Sequence, residues 1–208
     1  MSDSTAAAAT ENAAMRGYQR LRTSALSRLE SEPFLRAGFE PRQQLALLSR
    51  QIHARELQDD IPHPNGTVAI RRARRRDHPL VLAVDHAAFE SYWQLDQAGL
   101  QDALRATPFR HFRVARQDDT TALTGYAISG RSGPAGYLQR LAISPGQQGQ
   151  GTGAALVIDG LRWMARWGAT QVWVNTPEQN TGAVGFYERM GFELHPPGLQ
   201  VLELDLGQ

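Results

Sequence analysis

The chain has no cysteine, which excludes disulfides, thiolate metal sites and a cysteine nucleophile. It has no lysine either; all 22 basic residues are arginine. A Walker-type phosphate loop needs a lysine against the phosphates and Schiff-base catalysis needs an amine side chain, so both classes fall away. No apolar run reaches the ~18 residues of a membrane-spanning helix. Met1 to Ala14 lack the basic start and apolar centre of a secretory signal, and the stretch 1–14 reads as a disordered tail of a cytoplasmic protein. A formal net charge of +1 gives no electrostatic reason to expect nucleic acid or a membrane as partner. The six histidines show no metal-ligand spacing, and no G-x-S-x-G elbow is present; no metal is expected.

What is present fits one domain with an extension: 208 residues, 41% of them hydrophobic. Tyr18, Leu21, Ala25, Leu26 and Leu29 recur at helical spacing, which predicts a helix from about Met15. Phe34-Leu35-Arg36-Ala37-Gly38-Phe39-Glu40 follows, then the strand-like run Leu45 to Leu48. Leu57 to Thr67 hold two aspartates, two prolines and Asn65-Gly66, the chemistry of a linker. The expected organisation is therefore a tail over 1–14, an extension over 15–66 and a main domain over 67–208. Phe34 to Glu40 also aligns with Tyr187-Glu188-Arg189-Met190-Gly191-Phe192-Glu193, so the extension reads as a degenerate partial repeat that supplies a helix and a strand.

In the main domain Val68 to Ile70 reads as a strand. Asp77 is expected to cap a helix with Pro79 in its first turn, and a second helix spans about Asp96 to Ala106. His111 to Ala115, Ala122 to Ser129 and Tyr137 to Ile143 read as an antiparallel meander. A helix past Gly153, a strand over Gln171 to Asn175, a helix over Thr181 to Met190 stopped by Gly191, and two last strands complete the order. The fold class is α/β (α+β): a mixed, mostly antiparallel central sheet flanked by helices. The run Arg71 to Arg76 reads as a solvated charged edge, since the net charge is near zero.

The informative stretch joins the meander to the next helix: Ile143-Ser144-Pro145-Gly146-Gln147-Gln148-Gly149-Gln150-Gly151-Thr152-Gly153-Ala154. Three glycines at alternate positions expose main-chain N–H groups, and the helix that follows adds about half a positive charge at the same place. Together they form an anion site suited to a pyrophosphate. The same residues also fit the dinucleotide fingerprint G-x-G-x-x-A. That reading requires an acid at the end of the next strand, where Asn175 stands instead.

Gln148-x-x-Gly151-x-Gly153 after a strand, then Asn180-x-x-Ala183-x-x-x-Tyr187-x-x-x-Gly191-Phe192 about thirty residues on, resembles the GNAT N-acetyltransferase superfamily over Val68 to Leu206. The strand end Val174-Asn175-Thr176 resembles one group within it. The resemblance implies acetyl-CoA as co-substrate and a primary amine as acceptor, a small molecule or a protein N-terminus, acted on by a monomer or homodimer. It implies that Leu141, Ala142 and Ile143 offer main-chain groups to the pantetheine and that Gln148, Gly149, Gln150, Gly151, Thr152, Gly153 and Ala154 hold the pyrophosphate. Asn175, Asn180 and Ala183 line the cofactor, and Tyr187 protonates the departing thiolate. The strand Tyr137 to Leu141 carries no acid where many members have a carboxylate. Glu90 and Asp96 are the candidate bases, with a water relay as a third route. Tyr92, Trp93 and Gln139 are the expected acceptor contacts. A different class stays open, a module that binds acyl-CoA without transfer.

Overall fold

The computed structural model describes residues 18–53, 68–117 and 122–207. The tail over 1–14 and the linker over 57–67 lie outside the described residues. The elements are β1 (Arg20–Arg22), α1 (Arg28–Arg36), β2 (Glu40–Gln51), β3 (Val68–Arg72), α2 (His78–Ala88), α3 (Gln97–Arg105), β4 (Phe109–Gln117), β5 (Leu123–Ser132), β6 (Ala135–Ile143), α4 (Thr152–Arg166), β7 (Gln171–Pro177), α5 (Thr181–Arg189), β8 (Glu193–Leu194) and β9 (Leu199–Asp205). This is the expected α/β class, mostly antiparallel sheet with helices. The chain forms two compact units, Arg50–Val174 and Met1–Ser49 with Asn175–Gln208.

In the larger unit β3, β4, β5 and β6 form an antiparallel meander, and β7 runs parallel to β6. Strand β5 is buried on both faces from Leu123 to Gly130, as expected of a strand covered by helices on two sides. One face packs Tyr126, Ile128, Phe112 and Val114 against Val81 and Val84 of α2 and Leu100 and Leu104 of α3. The other packs Ala115 and Ala127 against Leu156 of α4, with Leu141 and Ile143 beside them. Each fully buried Leu or Val contributes about 1.5–3 kcal/mol. Helix α4 is also tied to the sheet by charge. Asp159 accepts from His111 Nε2 at 2.7 Å and from Arg113 Nη2 at 3.1 Å. The His111 ring stacks on Trp163, centroids 4.9 Å apart.

In the smaller unit β9 pairs antiparallel with β1 and with β2, and β8 pairs with β2. The helix expected from about Met15 is not formed over the described residues Tyr18 to Ser27. Arg20 to Arg22 is a strand in which both arginines meet Glu203, at 3.2 and 3.4 Å, and the helix begins at Arg28. A capping box sets that start: the Glu30 N–H donates to Ser27 Oγ at 3.4 Å, and the Ser27 N–H donates to Glu30 Oε2 at 2.8 Å. Spacing alone does not register a cap that starts the helix late.

Helices α1 and α5 end alike. Gly38 (φ 88°) and Gly191 (φ 78°) take the left-handed conformation. Their N–H groups donate to the carbonyls of Leu35 (3.1 Å) and Glu188 (2.9 Å), and those of Phe39 and Phe192 donate to Phe34 and Tyr187, both at 3.0 Å. These are the two hydrogen bonds of a Schellman cap. Its apolar contact is an aromatic pair each time, Phe34–Phe39 at 5.3 Å and Tyr187–Phe192 at 5.6 Å. The aligned heptapeptides therefore share one local structure.

Asp77 does not cap α2 with its side chain. Its carboxylate is taken by Arg71, Nη1 at 2.7 Å and Nη2 at 2.8 Å, and by the Arg74 N–H at 2.7 Å. The Arg71 hydrogen bond, aided by the Arg74 N–H, outweighs burial and lowers the Asp77 carboxyl to about 2. A folded-state value below the unfolded ~3.9 means stabilisation above about pH 4 that is lost as pH falls toward about 2. Asp77→Asn is expected to cost about 1.5–3 kcal/mol at pH 7. In chemical denaturation the gap from wild type should close between about pH 4 and 2.

Candidate active site

Strand β6 carries one residue too many. Ile128 of β5 faces Arg140, but the next residue, Ser129, faces Leu138, so Gln139 is the extra residue of a bulge. The bulge reverses which side chains face which layer. Leu138 lies on the α4 side, where a methyl group on Gly160 would come within 3.6 Å of it. Past the bulge Ala142 packs with Tyr126 on the α2 and α3 side, while Leu141 and Ile143 join the α4 side. If Gln139 stayed in the alternation instead of bulging, Arg140 would share the face of Leu138 and point to α4. Gly125 accommodates this end of the strand, because a methyl group there would lie 2.5 Å from Ile143 Cδ1.

The parallel pairing of β6 with β7 runs from Ala135–Gln171 to Tyr137–Trp173 and stops. From Leu138 to Ile143 the edge of β6 away from β5 has no strand partner among the described residues, although β6 continues to Ile143. Unpaired main-chain groups on a strand edge are ready partners for another extended amide chain. This edge leads directly into the glycine loop. A turn over Pro145–Gln147 is closed by the Gln147 N–H on the Ser144 carbonyl at 2.8 Å. Gly149 (φ 74°) and Gly151 (φ 85°) then both adopt left-handed backbone, which a side chain would strain. Gly151 is the N-cap of α4 and no side chain caps the helix; its first main-chain hydrogen bond runs from the Ala155 N–H to the Gly151 carbonyl at 3.0 Å. The N–H groups of Thr152, Gly153 and Ala154 thus lack protein acceptors among the described residues. Such a terminus attracts anions. Gln148 and Gln150 brace the loop from outside, donating to the carbonyls of Ile143 (3.4 Å) and Gly146 (3.3 Å).

The candidate acceptor residues lie in the same unit. Glu90, Tyr92 and Trp93 occupy the short segment between α2 and α3. Glu90 is exposed, and the rings of Tyr92 and Trp93 meet edge to face at 5.0 Å. Asp96 caps α3, accepting from the Gly99 N–H at 2.7 Å. Gln139 donates from Nε2 to Thr107 Oγ1 at 3.3 Å. The Thr107 hydroxyl is committed to the Phe109 carbonyl at 2.9 Å, so it can only accept from Gln139. That fixes the amide orientation and leaves Gln139 Oε1 buried without a hydrogen-bond partner. A buried acceptor in this condition is unusual.

Asn175, Asn180, Ala183 and Tyr187 belong to the smaller unit. Asn175 is exposed on β7. Asn180 caps α5, its Oδ1 accepting from the Ala183 N–H at 3.1 Å. Tyr187 is 7% exposed and sits between Phe186 and Phe192, with ring centroids at 5.2 and 5.6 Å. Burial pushes its phenol above its ordinary range, so it stays protonated at neutral pH. Among the described residues no three histidine, aspartate or glutamate side chains are grouped to hold a metal ion, and no helix is long and apolar enough to cross a membrane.

Sequence reasoning missed the buried charges of the larger unit. Asp85 is fully buried and accepts from Tyr126, from Arg140 Nε at 2.9 Å and Nη2 at 3.0 Å, and from the Leu95 N–H at 2.7 Å. The signal was an acid in step with Val81 and Val84 on the apolar face of α2.

The family model for the Acetyltransferase (GNAT) family matches residues 67–192. An uncharacterised N-acetyltransferase of Mycobacterium bovis is 32% identical over 118 residues, covering 56% of this chain and 74% of that protein. A mycothiol acetyltransferase of Frankia alni is 30% identical over 182 residues, covering 77% of this chain and 53% of its own, so the chain spans about half that relative's length. Among solved structures, a tandem GNAT protein from the clavulanic acid biosynthesis pathway superposes with a TM-score of 0.67 at 17% identity, covering 97% of this chain and 69% of that one. The unpaired strand edge, the glycine loop and the matched motifs agree with these likenesses, and the chain belongs to the GNAT family of acetyltransferases.

Proposed function

We propose that the protein transfers an acetyl group from acetyl-CoA to a primary amine by direct attack in a ternary complex. The observation that carries this reading is the continuity of two acceptor-hungry surfaces. The free edge of β6 at Leu141 to Ile143 suits the amides of a pantetheine arm, and it runs straight into the uncapped start of α4, which suits a diphosphate. Gln148 to Ala154 hold the pyrophosphate, with Asn175, Asn180 and Ala183 as further cofactor contacts. In this proposal the domain over 67–208 does the chemistry, and the extension over 15–66 is a degenerate partial repeat. The shared helix end of α1 and α5 and the likeness to a tandem GNAT protein support that division.

The amine nitrogen attacks the thioester carbonyl, the C–S bond breaks, and the thiolate takes the phenolic proton of Tyr187. The amine loses its proton to Glu90 through water, and Gln139 Oε1 accepts an N–H of the incoming amine. Tyr92 and Trp93 provide a flat apolar contact with polar edges. An acceptor with an α-amine, of pKa ~7.7–8.0 against ~10.4 for a lysine side chain, arrives partly neutral and suits a site whose β6 strand has no carboxylate. The mycothiol acetyltransferase relatives, named for a small molecule, favour a small-molecule acceptor over a protein.

An amine panel with acetyl-CoA, read by thiol release, tests the activity. Turnover is expected, fastest with low-pKa amines; CoA binding with no turnover on any amine would favour a sensor instead. Tyr187→Phe is expected to lower kcat by about 10²–10⁴-fold while the CoA Kd from calorimetry stays within about twofold; an unchanged kcat removes Tyr187 as the acid. Gly151→Val strains a left-handed position and is expected to weaken CoA about tenfold or more, since 1–2 kcal/mol of strain falls on the binding loop. Glu90→Gln is expected to lower kcat/KM by about 10²-fold, and a pH–rate profile superimposable on wild type rules Glu90 out.

A further inference from the structure

Asp85, Tyr126 and Arg140 take no part in the chemistry proposed above, yet they form the most buried polar cluster of the larger unit. Asp85 and Tyr126 are fully buried, and the Arg140 side chain is 13% exposed. A buried ion pair is a weak source of stability, because desolvation offsets most of its attraction. What this pair does hold is the segment between α2 and α3. That segment has no ladder or helix; the Phe89 N–H donates to the Asp85 carbonyl at 3.0 Å and the Trp93 N–H to the Glu90 carbonyl at 2.8 Å, and side chains hold other main-chain groups. Arg140 Nη2 donates to the Trp93 carbonyl at 2.6 Å, and its guanidinium lies 3.6 Å over the Phe89 ring. The same Asp85 carboxylate that fixes Arg140 accepts the Leu95 N–H. Gln94 Nε2 adds hydrogen bonds to the carbonyls of His86 and Phe89, both at 3.0 Å. Arg140 reaches this segment only because the bulge at Gln139 turns it toward α2.

We propose that Arg140, clamped by Asp85, is a positioning residue for the amine site: by holding the Trp93 carbonyl and the Phe89 ring it sets the Tyr92–Trp93 pair, and so governs amine recognition without governing cofactor binding. This rests on the reading that the Phe89 to Leu95 segment borders the amine. Tyr126 supplies the internal control. Its hydroxyl donates to Asp85, whereas the polar ties to the segment are made by Arg140 on the Trp93 carbonyl and by the Leu95 N–H on Asp85, so losing the hydroxyl removes a structural hydrogen bond and leaves both ties in place.

Steady-state kinetics with an amine found active on wild type, together with CoA calorimetry and thermal melting, test the proposal. Arg140→Lys keeps the charge but replaces the planar fork, whose Nε and Nη2 span Asp85 and the Trp93 carbonyl, by a single nitrogen and loses the guanidinium over Phe89. It is expected to raise the amine KM at least tenfold, with the CoA Kd within twofold. Tyr126→Phe is expected to lower Tm and leave the amine KM unchanged. Gln94→Ala, which removes no charge, is expected to raise the amine KM about threefold, and it serves if Arg140→Lys does not fold. An unchanged amine KM in Arg140→Lys or in Gln94→Ala overturns the proposal. So does a parallel rise of amine and acetyl-CoA KM in all three variants, which is the mark of a purely structural role. Absence of turnover in wild type defeats the acetyl-transfer reading itself and takes this proposal with it, whereas active wild type with unmoved variants defeats the proposal alone.

Discussion

One extra residue in one strand organises the larger unit. Because side chains alternate along a strand, looping Gln139 out as a bulge breaks the alternation, and everything after it lies on the face opposite to the one an unbroken strand from Leu138 would give. Arg140 turns to Asp85 instead of to α4, and Leu141 and Ile143 pack beneath α4 instead of beneath α2. A bulge also bends its strand, and the pairing of β6 with β7 ends at Tyr137, two residues before the bulge. The same local irregularity therefore accompanies the free strand edge, the route into the glycine loop and the buried charge that holds the segment between α2 and α3.

The second requirement is that the start of α4 stay fixed while its first turn stays uncapped. The fixing is done further along the helix. Leu156 and Leu161 are fully buried, and Asp159 is held by His111 and Arg113. Burial alone would raise the Asp159 carboxyl; its partners outweigh that and keep it below its ordinary range, so the tie is present at neutral pH. The first turn is thereby free to leave its N–H groups without a side-chain acceptor. Stability and the proposed cofactor binding are separated along a single helix.

The glycine loop was legible in the sequence because its requirement is local. Alternating glycines and a helix just after them follow from residue type and order; the helix begins at Thr152, earlier than the expected start past Gly153, with left-handed backbone at Gly149 and Gly151. The helix end at Gly191 and the helix start near Asp96 were legible for the same reason. The bulge was not, since Gln139 differs from its neighbours only through its pairing with β5. Nor was the partner of Asp77, which lies six residues back on a strand and takes the carboxylate that a helix cap would have used. The helix expected over Tyr18 to Leu29 failed because apolar spacing was followed past a capping box that starts the helix late.

The central claim is that the β6 edge and the amides at the start of α4 form one continuous cofactor surface. Amide hydrogen exchange with and without saturating CoA tests it most directly. The account predicts slowed exchange at Leu141 to Ile143 and at Gly149 to Ala154, with little change in β3 and β4. Slowed exchange confined to other parts of the chain, or none at millimolar CoA, would contradict it.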